Sequence, residues 1–391
     1  MEKLYYENIH ITEFEAIVME CILDDTNQNY QIVLNRTAFF PEEGGQLADK
    51  GTLNHKPVLD VRIKQNIIYH ILKEPIPVGT KVWGQVNWEQ RFDFMQQHSG
   101  EHIISGLVNK YYGYDNVGFH LGLTEVTLDF NGVLSLEQLR MIEQEANAMV
   151  WQNLPIQITY PSPKELSTLQ YRSKLDLTEN VRIITIPGVD VCACCAPHVD
   201  TTGQIGLIKI TNVQSHRGGV RVNILCGGRA VNDYTQKQDS VSNISTQLSA
   251  KQNAVSEAVA RLKEEHLRLK ALGNDLQAKL LGFMAASLPS PEDCANAILF
   301  LDTLNEIAIR NTINELVTVY TGYCAAFIGN DMDGYRFIIG SASKDCCELA
   351  KSMRQTFQAK GGGTAPMIQG TVSATRNALE EFFTTYCNEK P

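Results

Sequence analysis

Apolar and polar positions alternate through the first ninety residues in short runs. "EAIVMECIL", "YQIVLNRTAFF", "KPVLDVRI" and "NIIYHIL" are broken by Asp, Asn, Gly and Pro. A period of two with turn residues between runs predicts strands, and several strands in succession predict a small β-barrel or sandwich. From Trp88 to about Leu107 the period becomes helical. "VGFHLGLTEVTLDF" then reads as strand–turn–strand, and "SLEQLRMIEQEANAMVWQNL" as an amphipathic helix with Ser135 as N-cap and Glu137 near its start. Strands resume at "VRIITIP", "IGLIKITNVQ" and "GVRVNILCG". The fold class expected is α+β, with a β-barrel subdomain over 1–90 and an α+β domain over 91–232.

Beyond about Val231 a heptad takes over. Val241, Leu248, Val255, Leu262, Leu269 and Leu276 recur every seven residues, and Ile244, Ala258 and Leu272 occupy d positions. No proline or glycine interrupts until Gly273, so one long helix is expected over 233–287, either as a coiled-coil seam or packed on its neighbours. Lys251 and Glu265 at d positions weaken a continuous two-stranded zipper. "LPSPED" closes the segment. Alternating helix and strand patterns over 288–391 predict a small α/β domain, interrupted by "AKGGGTAPMIQG", whose Gly361, Gly362 and Gly363 permit close backbone approach.

Composition narrows the class only slightly. The chain has 391 residues, with 43% hydrophobic and 20% charged, enough for two or three buried cores. No apolar run approaches the roughly 18 residues of a membrane span, and the acidic, polar-broken N-terminus is not a secretory signal, so a cytoplasmic location is expected. The net charge of −10 argues against a wholly nucleic-acid-attracting surface but leaves room for a local basic patch. Ten cysteines lack the spacing of a secreted disulfide framework. Three of them crowd into "VCACCAPH", which in a reducing compartment points to metal.

The candidate metal ligands come in two pairs. In "MQQHSGEHIISGL", His98 and His102 are four residues apart on a helix, hence on one face. In "CCAPH", Cys194 and His198 are again four apart. Together they form a His3Cys set, which suits zinc, Zn2+, one per chain. Cys192 is the reserve ligand, and Cys195 is a bystander by direction. "HSGEH" is not the metalloprotease H-E-x-x-H, and Glu101 is expected on a different face from the pair, as a salt-bridge or supporting residue.

These residues carry a family resemblance. "HSGEH" followed about ninety residues later by "CCAPHVDTTGQIGLIKI" is similar to the editing domain of alanyl- and threonyl-tRNA synthetases, where the second motif reads approximately C-G-G-T-H-V-x-x-T-G-x-I-G-x-F-K-I. Upstream, "RTAFFPEEGGQLADKG" resembles T-x-F-Y-P-x-G-G-G-Q-x-x-D-x-G. Downstream, "VRVNILCGGRAVNDY" resembles the strand and helix start that close that domain, and the Gly-rich segment resembles the DHH-associated domain. The order and the absence of an aminoacylation core resemble the long, freestanding form of the AlaX family. The departures are Glu43 for the first glycine, Leu47 for the frequent proline, and "CCAPH" for C-G-G-T-H.

The resemblance implies hydrolysis in trans of mischarged tRNA(Ala), chiefly Ser-tRNA(Ala) and in some cases Gly-tRNA(Ala), at a zinc site. The alternative is a non-catalytic, zinc-stapled tRNA-binding protein. A pocket cannot reject alanine by size while admitting serine, but it can offer a hydrogen bond that only the serine hydroxyl satisfies. Thr37, Gln46 and His120 are the candidate groups. Lys209, Arg217 and Arg221, together with Gly361, Gly362 and Gly363, are the candidate tRNA contacts. A homodimer through the helical segment and C-terminal domain is the assembly the heptads allow, and no membrane partner is expected. Whether zinc activates water or positions substrate is left open.

Overall fold

The computed structural model describes residues 1–24, 28–173, 181–302 and 305–389. They form two compact units, Met1–Ser242 and Asn243–Pro391. No helix among the described residues is long and apolar enough to cross a membrane.

The predicted N-terminal strands form a seven-stranded antiparallel sheet that curls into a nearly closed barrel. The alternation Phe14, Ala16, Val18 turns one face of the twelve-residue strand Glu13–Asp24 into the core. A register shift between Val18 and Glu20 bends this strand, so that its first half pairs with Lys81–Val86 and its second with Asn29–Leu34. Closure comes where the Leu59 N–H donates to the Ile71 carbonyl at 2.8 Å.

The helix Trp88–Tyr112 leaves the barrel from an Asn87 N-cap, whose side chain accepts from the Gln90 N–H, and stops at Gly113 with φ 68°. It runs five residues beyond the expected end because Leu107 and Val108 are still core. The helix is buried on several sides, so small residues must admit its neighbours. A Cβ at Gly100 would stand 2.3 Å from Cys226 Sγ, and one at Gly106 would stand 2.5 Å from the Val189 carbonyl. Each glycine costs helix stability of up to about 1 kcal/mol in exchange for close approach of a strand.

Around this helix lie a four-stranded antiparallel sheet, in the order Asn116–Leu121, Val126–Phe130, Gly219–Cys226, Ile208–His216, and a three-stranded one, Gln157–Thr159, Ile183–Ile186, Asp190–Ala193. The helix Leu136–Trp151 packs with them. Ser135 caps it and Glu137 lies in its first turn, both as expected, and Gln138 completes a capping box with Ser135.

The second unit differs from expectation at two places. The heptad run is not one helix: Gly227–Gln247 ends, Gln252–Ala254 makes a short 3-10 turn, and Val255–Ala286 begins. No glycine breaks it; Ser249 takes φ 48°, and the Ala250 N–H returns to the Ser245 carbonyl at 3.0 Å. Gly273 stays helical, as the expected helix over 233–287 requires. The Gly-rich segment is an edge strand, Lys360–Thr364, paired antiparallel with Met367–Val372. Its five-stranded sheet is mixed: Ala297–Leu301 runs parallel to Cys324–Asn330, and the other pairs are antiparallel. Leu281, near the end of the long helix, belongs to the same buried cluster as Leu299 and Ile313.

Candidate metal centre

The helix face carrying His98 and His102 meets a strand face. Asp190 and Cys192 lie two residues apart in Asp190–Ala193 and point to one side, and Cys194 continues the series. The two faces bring His98, His102, Cys194 and His198 together, with one donor atom from each within 4.8 Å of the others. Cys194 Sγ lies 3.4 Å from His98 Nε2. The His198 ring centroid is 5.0 Å from that of His98 and 4.8 Å from that of His102.

Outer hydrogen bonds aim the rings. His98 Nδ1–H donates to Gln46 Oε1 at 2.8 Å, and His102 Nδ1–H donates to Asp190 Oδ2 at 2.8 Å. Both Nε2 atoms are thereby left as acceptors, the tautomer a metal ligand requires. Both ring nitrogens of His198 are buried without a hydrogen-bond partner among the described residues. An imidazole in that state fits a ligand that the protein itself does not provide. Burial pushes it down to about 3, so it is neutral.

The same surroundings separate the adjacent thiols. Burial pushes the Cys194 thiol up, but the imidazoles of His98, His198 and His102 outweigh it and hold Cys194 well below the ordinary thiol range. Burial and the neighbouring Cys194 push Cys195 up instead. The opposite directions follow from position, with Cys194 facing the cluster and Cys195 lying beside it.

Three further contacts hold the segment that carries the ligands. Arg182 donates through one guanidinium nitrogen to the carbonyls of Cys194 and Ala196, each at 2.9 Å. Ser99, inside "HSGEH", accepts the Val199 N–H at 3.2 Å. Arg172 grips Asp190 with Nε at 2.7 Å and a terminal nitrogen at 2.8 Å. The approach of Val189 to Gly106 sets Asp190 within reach of His102.

The cluster forms part of the wall of a cavity of about 1330 Å3, bordered also by Glu43, Gly44, Gly45 and Phe119. In "PEEGGQ", Gly44 and Gly45 have φ of 65° and 81°, whereas Glu43 is not among the positive-φ residues, so the lost first glycine leaves the loop intact. A Cβ at Gly45 would stand 2.6 Å from the Phe119 carbonyl, and the Gly45 carbonyl accepts from the Leu121 N–H at 2.8 Å.

The remaining sequence candidates fall in different places. Gln46 is fully buried behind His98 and off the cavity wall. Thr37 is also fully buried and off that wall; its hydroxyl donates to His70 Nε2 at 2.8 Å and accepts from the Phe39 N–H at 3.1 Å. His120 is exposed, on the opposite side of its strand from the cavity-lining Phe119. Lys209 is paired with Glu143 at 2.6 Å and Arg221 with Asp129 at 2.6 Å, while Arg217 sits in the hairpin turn at φ 45°. Gly361, Gly362 and Gly363 lie in the edge strand of the second unit. Glu101 keeps the salt-bridge role expected of it, with Oε2 3.8 Å from His102 Nε2, but corrects the expected face: it lines the cavity with both histidines. It is one residue before His102 but three after His98, and the i,i+3 relation decides its face. Asp190, Arg172 and Phe119 were not singled out. The period of two through Asp190, Cys192 and Cys194 was the available signal for Asp190.

Two family models match the chain. Residues 181–222, which hold Cys194 and His198, match the threonyl and alanyl tRNA synthetase second additional domain, and residues 2–90 match tRNA synthetases class II (A). The alanyl-tRNA editing protein AlaX-L of Pyrococcus horikoshii is 30% identical over 287 residues, covering 68% of this chain and 70% of the relative. The chain belongs to the alanyl-tRNA editing proteins. The family's Aarsd1 of Rattus norvegicus aligns over 97% of this chain and 96% of its own length at 25% identity. The alanine–tRNA ligase of Haloquadratum walsbyi is 30% identical over 87% of the chain, which spans 38% of that ligase. The residues that complete the donor set in this alanyl-tRNA editing protein, His98 and His102, lie between the two matched segments.

Proposed function

We propose that the chain is a deacylase acting in trans on mischarged tRNA(Ala), chiefly Ser-tRNA(Ala) and also Gly-tRNA(Ala), with one zinc ion held by His98, His102, Cys194 and His198. The observation that carries this reading is the convergence of the four donors beside an open cavity, with His98, His102 and Cys194 on its wall. Bound there, zinc supplies Lewis acidity toward the ester or an anchor for the substrate's amino group. The chain's own residues do the rest. Gln46 and Asp190 fix two imidazole tautomers, so Gln46 acts through His98. Phe119, packed 4.8 Å from the His98 ring, covers one side of the site. Serine is preferred over alanine because its hydroxyl satisfies polar groups that an alanyl ester leaves unpaired.

For tRNA contact, Arg217 at the hairpin turn makes no salt bridge among the described residues, although it lies close enough to Asp129 to act on it electrostatically. Lys209 and Arg221 exchange Glu143 and Asp129 for phosphates on binding, which makes affinity salt-dependent. The glycine edge strand admits a backbone closely. Leu262, Leu269, Leu272 and Leu276 are each more than half exposed, and they supply the seam of a homodimer. The proposed location is the cytoplasm.

The donor set is complete with four protein ligands, the pattern of a structural zinc, and this favours the second reading, a zinc-stapled tRNA-binding protein. Purified protein mixed with Ser-tRNA(Ala), Gly-tRNA(Ala) and Ala-tRNA(Ala) separates the two. Loss of the seryl and glycyl esters, abolished by chelation and restored by zinc, is expected. Stable seryl ester in the presence of folded, zinc-loaded protein overturns the deacylase reading.

A further inference from the structure

Glu101 holds its two carboxylate oxygens in different surroundings. Oε1 accepts hydrogen bonds from Ser105 Oγ and Asn116 Nδ2, both at 2.6 Å. Oε2 has no hydrogen bond among the described residues and lies 3.8 Å from His102 Nε2, the nitrogen that Asp190 leaves free. The residue is 6% exposed and lines the cavity. A carboxylate buried this far costs free energy unless both oxygens are used. Ser105 and Asn116 account for one oxygen and fix the rotamer, so the second is aimed at the donor cluster. A purely structural acceptor for Ser105 and Asn116 needs only one oxygen, and glutamine would supply it.

We propose that Glu101 is the catalytic residue that holds the attacking water and takes its proton. Asp190 cannot serve, because His102 and Arg172 occupy both its oxygens. The water oxygen forms a bond to the ester carbonyl carbon as one of its protons passes to Glu101 Oε2. When the adduct collapses, the bond between that carbon and the ribose oxygen breaks. The proton passes from Glu101 to the departing ribose oxygen, leaving a free amino acid and an uncharged tRNA. A water held at hydrogen-bond distance from Oε2 meets the geometric requirement for general base catalysis.

The inference rests on the deacylase reading. The test compares wild type, Glu101→Gln and Glu101→Ala on Ser-tRNA(Ala), with zinc stoichiometry measured for each. Glu101→Gln keeps the Ser105 and Asn116 contacts, so zinc content and KM are expected to stay at wild-type values while kcat falls at least about 100-fold. Formate is expected to restore part of the rate to Glu101→Ala, which a purely structural role would not produce. A kcat for Glu101→Gln within threefold of wild type overturns the proposal, as does loss of zinc from that variant, because Glu101 would then be a ligand or a strut. An active wild type with an unaffected variant removes this inference alone, whereas an inactive wild type removes the reading beneath it.

Discussion

Asp190 Oδ2 accepts the Nδ1 proton of His102 at 2.8 Å, while Arg172 holds the same carboxylate from the other side. A ligand histidine oriented in this way loses less rotational freedom when it binds an ion, and its basicity is raised. Asp190→Ala is expected to weaken zinc binding about 10- to 100-fold, read by competition with a chelating dye. Arg172→Gln should do the same to a smaller degree. Unchanged affinity in both would remove the clamp from the account of the site.

The two neighbouring cysteines make a sharper comparison. Cys194→Ser is expected to lose zinc and Cys195→Ser to keep it, measured as metal per mole of folded protein. The reverse result would mean that the segment held by Arg182 presents the other thiol. Retention by both would move the ligand to Cys192.

His70 predicts an acid sensitivity apart from the metal. Its Nδ1–H donates to the Ile32 carbonyl at 3.0 Å and its Nε2 accepts from Thr37, so the buried ring is neutral. Burial pushes it down to about 4. Between pH 6.5 and 4 the unfolded chain binds a proton that the folded chain refuses, so stability is full above 6.5 and falls as pH drops through this window. The loss reaches about 3 kcal/mol at its end. Denaturant melts at pH 7 and pH 4.5 should show that drop in wild type and a smaller one in His70→Gln. Equal drops would assign the acid sensitivity elsewhere.

Arg91 and Asp49 link the barrel to the helix Trp88–Tyr112. Arg91 is fully buried, meets Asp49 through two nitrogens and donates to the carbonyls of Ile9 and Ala38. Arg91→Met leaves Asp49 as an uncompensated buried charge, and a loss of about 3–5 kcal/mol is expected. Adding Asp49→Asn should recover part of it. A double variant no better than the single one would mean that the backbone contacts of Arg91, not its charge, carry the effect.

Much of this protein was legible in one dimension. Period-two alternation found the barrel strands, and the fourfold spacings of His98 with His102 and of Cys194 with His198 named the donor set, because local periodicity fixes which side chains share a face. Ser135 signalled its helix for the same local reason. The break at Ser249 was not legible, since no glycine or proline marks it. Nor was the strand at Lys360–Thr364, whose glycines have little intrinsic preference and adopt the edge of a sheet supplied by Met367–Val372. Packing alone decided which groups surround the donors. Thr37 faces His70, Gln46 supports His98 and His120 turns outward, because barrel, helix and hairpin meet at angles no spacing encodes. Glu101 and Asp190 acquired their places in the same way. The sequence determined which residues are able to bind a metal, and the approach of a strand to Gly106 on a buried helix decided which groups stand around them.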